Sequence, residues 1–174
     1  MQQRGVGTDE HPLDVSDPPR IRALGDVLRR HNYTPQGLLA ALGEEEDAPF
    51  RRVEIPIYLR RLTNAPLHHL IRLFLLGVPV ERDALAEALA PLTPADLVAL
   101  GLAHADGGSL VSPYRLMVFR DLYLVCDRYL VGAALRPDHV TGVNNSSITL
   151  ATLTVRPSGR ALDLGTGCGV QALL

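Results

Sequence analysis

The sequence predicts a mainly α protein with a small β component, and three observations carry that prediction. Apolar residues recur at helical spacing, between proline or threonine starts and glycine stops, through most of the first hundred positions. Two short runs flanking Asp106-Gly107-Gly108 have the pattern of a β-hairpin. A glycine-rich loop, Asp163-Leu164-Gly165-Thr166-Gly167-Cys168-Gly169, follows an apolar run and precedes Val170-Gln171-Ala172-Leu173-Leu174, which reads as the first turn of a helix. Strand, glycine turn and helix start together make a nucleotide site near the beginning of a doubly wound α/β domain, because glycines admit close approach and the helix offers unpaired N–H groups.

Residues 1–19 are polar, carry Gly5, Gly7, Pro12, Pro18 and Pro19, and lack the apolar region of a signal peptide; they read as a disordered leader. A helix follows over 20–31, with Ile21, Leu24, Val27 and Leu28 on one face and Arg22, Asp26, Arg29 and Arg30 on the other. Thr34-Pro35 supplies an N-cap and a proline at the first helical position of a helix that stops at Gly43. Glu44-Glu45-Glu46-Asp47 is a solvated link. Helices are expected over 56–62 and 66–76, the second with Leu67, Leu70, Ile71, Phe74 and Leu75 as its core face.

After Gly77-Val78-Pro79 comes a short helix over 81–90, and Thr93-Pro94 caps another that runs to Leu100 and ends at Gly101. The hairpin spans 102–112. Three helices followed by a hairpin is the order of a winged helix-turn-helix; an irregular helical bundle with one hairpin is the alternative. Residues 114–119 and 122–126 read as strands turning at Arg120-Asp121. Beyond the linker Arg136-Pro137-Asp138 lie a helix over 145–153 and, after Arg156-Pro157-Ser158-Gly159, a strand over 160–164. Without parallel neighbours that strand has unpaired edges, so it is expected to be disordered or docked on the N-terminal domain of its own or a second molecule.

No apolar stretch approaches the roughly 18 uninterrupted residues of a membrane span, which argues against a membrane partner. Cys126 and Cys168 make no disulfide framework, so the expected compartment is a reducing cytoplasm, with one buried small apolar residue and one loop filler. All 17 basic residues are Arg, and the net charge is −2. The excess positive charge falls in residues 20–82, where ten Arg face seven acids; this permits a nucleic-acid partner without demanding one.

The loop spacing is D-x-G-x-G-x-G. A dinucleotide fingerprint needs its third glycine at position 170, which is Val170, so nicotinamide binding is one glycine off. A phosphate P-loop is excluded because the chain has no Lys. An acid at the strand end repels phosphate and suits a ligand with an ammonium or sulfonium group.

The run Ala161-Leu-Asp-Leu-Gly-Thr-Gly-Cys-Gly-Val-Gln-Ala-Leu closely resembles motif I of class I S-adenosylmethionine-dependent methyltransferases. More narrowly it is similar to the small-domain group that contains release-factor glutamine and ribosomal RNA guanine methyltransferases. Leu73-Phe74-Leu75-Leu76-Gly77 and Asp138-His139-Val140-Thr141-Gly142-Val143 resemble actinobacterial methyltransferases of that group. The resemblance implies a helical, winged-helix-like substrate-recognition domain over 20–135. A linker helix and the first part of a Rossmann-like methyltransferase domain would follow over 136–174.

By the same resemblance, Gly165, Thr166, Gly167 and Gly169 pass under the methionine and ribose of the cofactor, and Asp163 holds the loop and faces the amino group. Gly142, Asn144 and Ser146, just before motif I, line the cofactor as well. The acid that holds the ribose hydroxyls and the Asn-Pro-Pro-aromatic motif that positions a planar amine are not found here; Asn144-Asn145 lacks the prolines. No catalytic residue is therefore named, and this chain alone is expected to be inactive and to bind S-adenosylmethionine weakly or not at all.

The helix over 93–100, the recognition helix of the winged-helix reading, brings Asp96 and no cation, which disfavours sequence-specific DNA reading. Arg29-Arg30, Arg51-Arg52 and Arg60-Arg61 are candidates for docking RNA or an acidic protein; the competing reading is a solvated face or ion pairs with the 44–47 run. His68-His69, adjacent on a helix, lacks zinc-ligand spacing. The parent protein is thus expected to methylate a nitrogen on RNA or on a translation factor. The rival is a winged-helix interaction module without a catalytic role.

Overall fold

The computed structural model describes residues 12–44, 55–128, 135, 137–155, 159–160 and 162–174. Helix outweighs strand by about 46% to 14%, and the sheets are small and antiparallel. The chain divides into two compact units, Met1–Arg115 and Leu116–Leu174.

The first unit begins with α1 (Pro18–Arg30), whose N-terminal N–H at Arg20 is capped by the Asp17 carboxylate. The helix starts inside the stretch that reads as a leader, and residues 1–11 lie outside the described residues. Thr34 caps α2 (Pro35–Leu42) by accepting from Gly37 N–H, and Gly43, left-handed at φ 68°, stops it. After α3 (Ile55–Arg61) comes α4 (Pro66–Leu70), which continues as a wider π-helical turn (Ile71–Leu76) closed by the N–H of Gly77 on the carbonyl of Arg72. That turn is buried on almost every side: Ile71, Leu73, Phe74, Leu75 and Leu76 are all in the core.

Val80–Glu81 forms a short strand, β1, that the sequence reading passes over. It leads into α5 (Arg82–Leu89) and α6 (Pro94–Ala99). The capping box at α6 is complete, since Thr93 and Asp96 each accept from the other's backbone N–H. The hairpin forms with β2 (His104–Asp106) and β3 (Ser109–Val111) turning at Gly107-Gly108, and β1 adds antiparallel to β3, giving the order β1-β3-β2. Val80 and Ala105 flank Leu110, whose side chain is fully buried, as are those of Leu85, Leu89 and Leu97 on α5 and α6. The order from α4 is helix, strand, helix, helix, strand, strand.

The chain passes into the second unit along β4 (Tyr114–Phe119), which pairs with β5 (Leu122–Asp127) across Arg120-Asp121. Arg120 takes a positive φ of 53° at that turn. Residues 139–143 then run back along β5. Asp127 N–H donates to the carbonyl of Val140 at 3.0 Å, and Val140 N–H returns the bond to the Asp127 carboxylate at 2.7 Å. Asn144 caps α7 (Asn145–Leu153), and α8 (Val170–Leu173) packs against it. The linker residues Arg136 and 156–158, and Ala161 in the expected strand, lie outside the described residues.

Arg160 and residues 162–164 form no strand, and no parallel sheet surrounds them among the described residues, in keeping with the expectation that a lone run there lacks pairing partners. Leu162 and Leu164 are 81% and 83% exposed, and no neighbouring strand is present among the described residues to receive their backbone groups. A single extended run has no stable form in water without such pairing.

Candidate functional site

The glycine loop is set by its own backbone. Gly165, Gly167 and Gly169 take φ values of 74°, 56° and 80°, all left-handed, a conformation that costs any residue with a Cβ and costs glycine nothing. Thr166 ties the turn by donating its hydroxyl to the carbonyl of Asp163 at 3.0 Å, and Gly169 N–H closes on the carbonyl of Thr166 at 2.9 Å. Gly169 is then the residue before the first turn of α8. Asp163 is half-buried, and its Oδ2 is shielded from solvent without a hydrogen-bond partner among the described residues. A shielded carboxylate oxygen with no donor is costly unless a cationic group meets it.

Asn144 and Ser146 sit at the start of α7. The Asn144 amide oxygen accepts from the N–H and the hydroxyl of Ser147 at 3.0 and 3.3 Å, so its side chain is committed to the helix cap. Ser146 is exposed. From α8, Gln171 donates to the carbonyl of Ser147 at 2.9 Å and so fastens the exit of the glycine loop to the α7 start. Gln171 was not among the residues singled out from sequence, although it is the one polar side chain in an otherwise apolar α8. The loop and the α7 start are thus brought together.

Gly142 packs on β4 and β5. A Cβ there would collide with Met117 Sδ and fall 2.7 Å from Cys126 Sγ, so glycine is what lets residues 139–143 lie flat on β4 and β5. Cys126 is buried and Cys168, within the loop, is half-exposed; neither forms a disulfide.

In the first unit the nominated arginines have local work. Arg29 pairs with Asp26 at 2.7 Å, and Arg30 donates to the carbonyl of Ala90 at 2.5 Å. Arg61 donates to the carbonyls of Leu42 and Gly43 and lies 3.7 Å from Glu44, which realises the ion pair expected with the acidic link. Arg60 is exposed on α3, while Arg51-Arg52 and acidic residues 45–47 lie outside the described residues.

His68 and His69 fasten the turn before α4. His68 Nδ1 accepts from Thr63 N–H at 2.8 Å, and the His69 ring meets the carbonyl of Asn64 at 3.1 Å. Arg72 donates to the carbonyls of Thr63 and Leu62 at 2.8 and 2.9 Å. Burial first, then the nearby Arg72 charge, holds both imidazoles below their ordinary pKa, which favours the neutral rings: His68 accepts at Nδ1, while His69 donates its ring N–H to the Asn64 carbonyl. This three-residue fastening has no motif that spacing alone could reveal. Among the described residues no group of three or more His, Cys, Asp or Glu is placed to hold a metal ion.

No helix among the described residues is long and apolar enough to cross a membrane. No curated protein matches the chain. Residues 30–113, from the end of α1 through the β1-β3-β2 sheet, match a family described as a domain of unknown function, DUF7059.

Proposed function

We propose that the chain is the substrate-recognition part of an S-adenosylmethionine-dependent N-methyltransferase acting on RNA or on a protein of the translation machinery, with residues 163–169 as its cofactor loop. One observation carries the reading: three alternate glycines in left-handed conformation follow a carboxylate whose shielded Oδ2 has no hydrogen-bond partner among the described residues. That donor-free oxygen fits the ammonium of the cofactor's methionine, and the glycine backbone fits a ligand lying close above it. Asp163 would hold the ammonium, and Gly165, Thr166, Gly167 and Gly169 would pass under the ribose and methionine. S-adenosylmethionine itself supplies an electrophilic methyl group on sulfonium. The α7 start, fastened to α8 through Gln171 and Ser147, keeps Ser146 beside the loop's exit. No side chain of this chain is assigned to the transfer step.

The helix–strand–helix–helix–strand–strand order with sheet order β1-β3-β2 supports a winged-helix reading of the first unit. One observation favours the second reading, a winged-helix interaction module without catalysis: the described residues before the loop form no strand. Calorimetric titration of the native full-length protein with S-adenosylmethionine separates the two. Saturable binding, weakened about tenfold or more by Asp163→Asn through loss of a charge-assisted hydrogen bond, is the expected result. Absence of binding by the native protein decides for the interaction module.

A further inference from the structure

We infer that Gln171 is a positioning residue for the cofactor loop: its amide, bonded to the Ser147 carbonyl, orders residues 163–169 before the cofactor arrives. The inference rests on the cofactor reading of that loop and gives Gln171 no contact with the reacting atoms. Three left-handed glycines make the turn possible, but they also make it soft, because glycine loses more conformational freedom than any other residue when it is fixed. Packing does little to restrain them. Among the described residues, a Cβ added at Gly165 would meet no heavy atom within 4 Å, and one at Gly167 would meet only the Gly165 carbonyl oxygen at 3.9 Å. Around Gly169 the neighbours within that distance are Thr166 and Leu173, both from the same stretch of chain.

The hydrogen bonds inside the loop are equally local. Thr166 to Asp163 and Gly169 to Thr166 each span three residues, so they shape the turn without fixing where it points. Gly169 has no side chain with which to cap α8. Among the described residues, the hydrogen bond that joins this stretch to another element is the one from Gln171 Nε2 to the Ser147 carbonyl, 24 residues away in sequence. Its acceptor is itself held, since Ser147 gives both its N–H and its hydroxyl to the Asn144 amide oxygen. The path thus runs from the cap of α7 through Ser147 and Gln171 to the loop's exit. Helices α7 and α8 also pack together, with Ala151 and Val170 buried on them. Apolar burial is non-directional, whereas an amide–carbonyl hydrogen bond fixes an orientation. A loop ordered in advance binds more tightly, because molecules already in the competent arrangement take the ligand without an ordering cost.

The test combines relaxation of isotope-labelled glycine amides in the native full-length protein, without cofactor, and calorimetric titration with S-adenosylmethionine. Gln171→Met keeps the side chain's length and removes the donor. In it the order parameters of the Gly165, Gly167 and Gly169 amides should fall from about 0.85 to below about 0.6, while the amide of Gly142, packed on β4 and β5, keeps its order. S-adenosylmethionine should bind about three- to tenfold more weakly, the loss of one neutral hydrogen bond. Gln171→Glu should lose the same loop order. A carboxylate suits the first turn of a helix, so a residue that merely stabilised α8 would tolerate that change. Loop glycines with the same order in all three proteins, or Gln171→Met binding as tightly as the native protein, overturn the inference and leave the cofactor reading standing. Loss of order at Gly142 together with a lowered melting temperature marks a purely structural residue and overturns it too. Failure of the native protein to bind S-adenosylmethionine removes the cofactor reading and this inference with it.

Discussion

The two units bury their apolar side chains to different extents. In Met1–Arg115 large side chains such as Tyr33, Tyr58 and Phe74 are fully buried, and even the π-helical turn is enclosed. In Leu116–Leu174 the helix α7 is well capped by Asn144, yet it buries only Ala151 and leaves Ile148, Leu150 and Leu153 exposed. Leu162, Leu164 and Leu173 are exposed too. Local signals suffice to start and stop a helix, as α7 shows. They do not supply a surface to bury it on, and burial provides most of the free energy that holds a short helix in place.

Substitutions of equal chemistry in the two units should sharpen this contrast. Phe74→Ala empties a closed core and is expected to cost about 3–5 kcal/mol in urea unfolding of the first unit. A cost near that of a surface change would mean the core is looser than its packing implies. Next in size, Arg72→Ala leaves the carbonyls of Leu62 and Thr63 without their donor, for a loss of about 1–3 kcal/mol. Arg72→Lys should recover only part of it, since one ammonium does not reproduce the guanidinium's fork.

A smaller effect follows from His68 and His69. Both are held below the ordinary imidazole value of 6.5, so between their lowered values and 6.5 the unfolded chain binds more protons than the folded one. Their contribution is complete above 6.5 and drains as pH falls through that window. The melting temperature should therefore drop from about pH 7.5 to about pH 5.5, and His68→Gln should flatten part of the slope. A flat profile would show that Thr63 N–H does not depend on the unprotonated ring. The smallest change is expected for Leu153→Ala: at 73% exposure it should move stability by less than about 0.5 kcal/mol. A loss of core size would reveal that α7 is covered in solution, and would break the contrast between the units.

Much of the first unit was readable because its elements are punctuated locally. Thr34-Pro35 with Gly43, and Thr93-Pro94 with Gly101, each state a start and a stop within ten residues. β1 escaped notice because two residues carry no periodicity, and its pairing with Leu110 and Ser109 is a long-range event. The π-helical turn escaped for a related reason: Ile71–Leu76 is apolar almost throughout, so no period distinguishes one helical register from another. At the glycine loop the spacing and the turn were legible, since left-handed glycines are a local demand. The expected strand before it was not formed, because a strand is a property of two segments. Gly142 was placed beside the cofactor by resemblance alone, while the structure gives it a packing reason in Met117 and Cys126 that lies sixteen residues or more away in sequence.

That packing separates the two thiols by reagent access. Cys126 is sealed under residues 139–143, whereas Cys168 stands in the glycine loop, partly open to water. A maleimide dye added to the folded chain should therefore attach at Cys168 alone, and the second thiol should react only after denaturation. The native sequence thus carries a single-site optical reporter inside the loop proposed to hold the cofactor, with no engineered cysteine required.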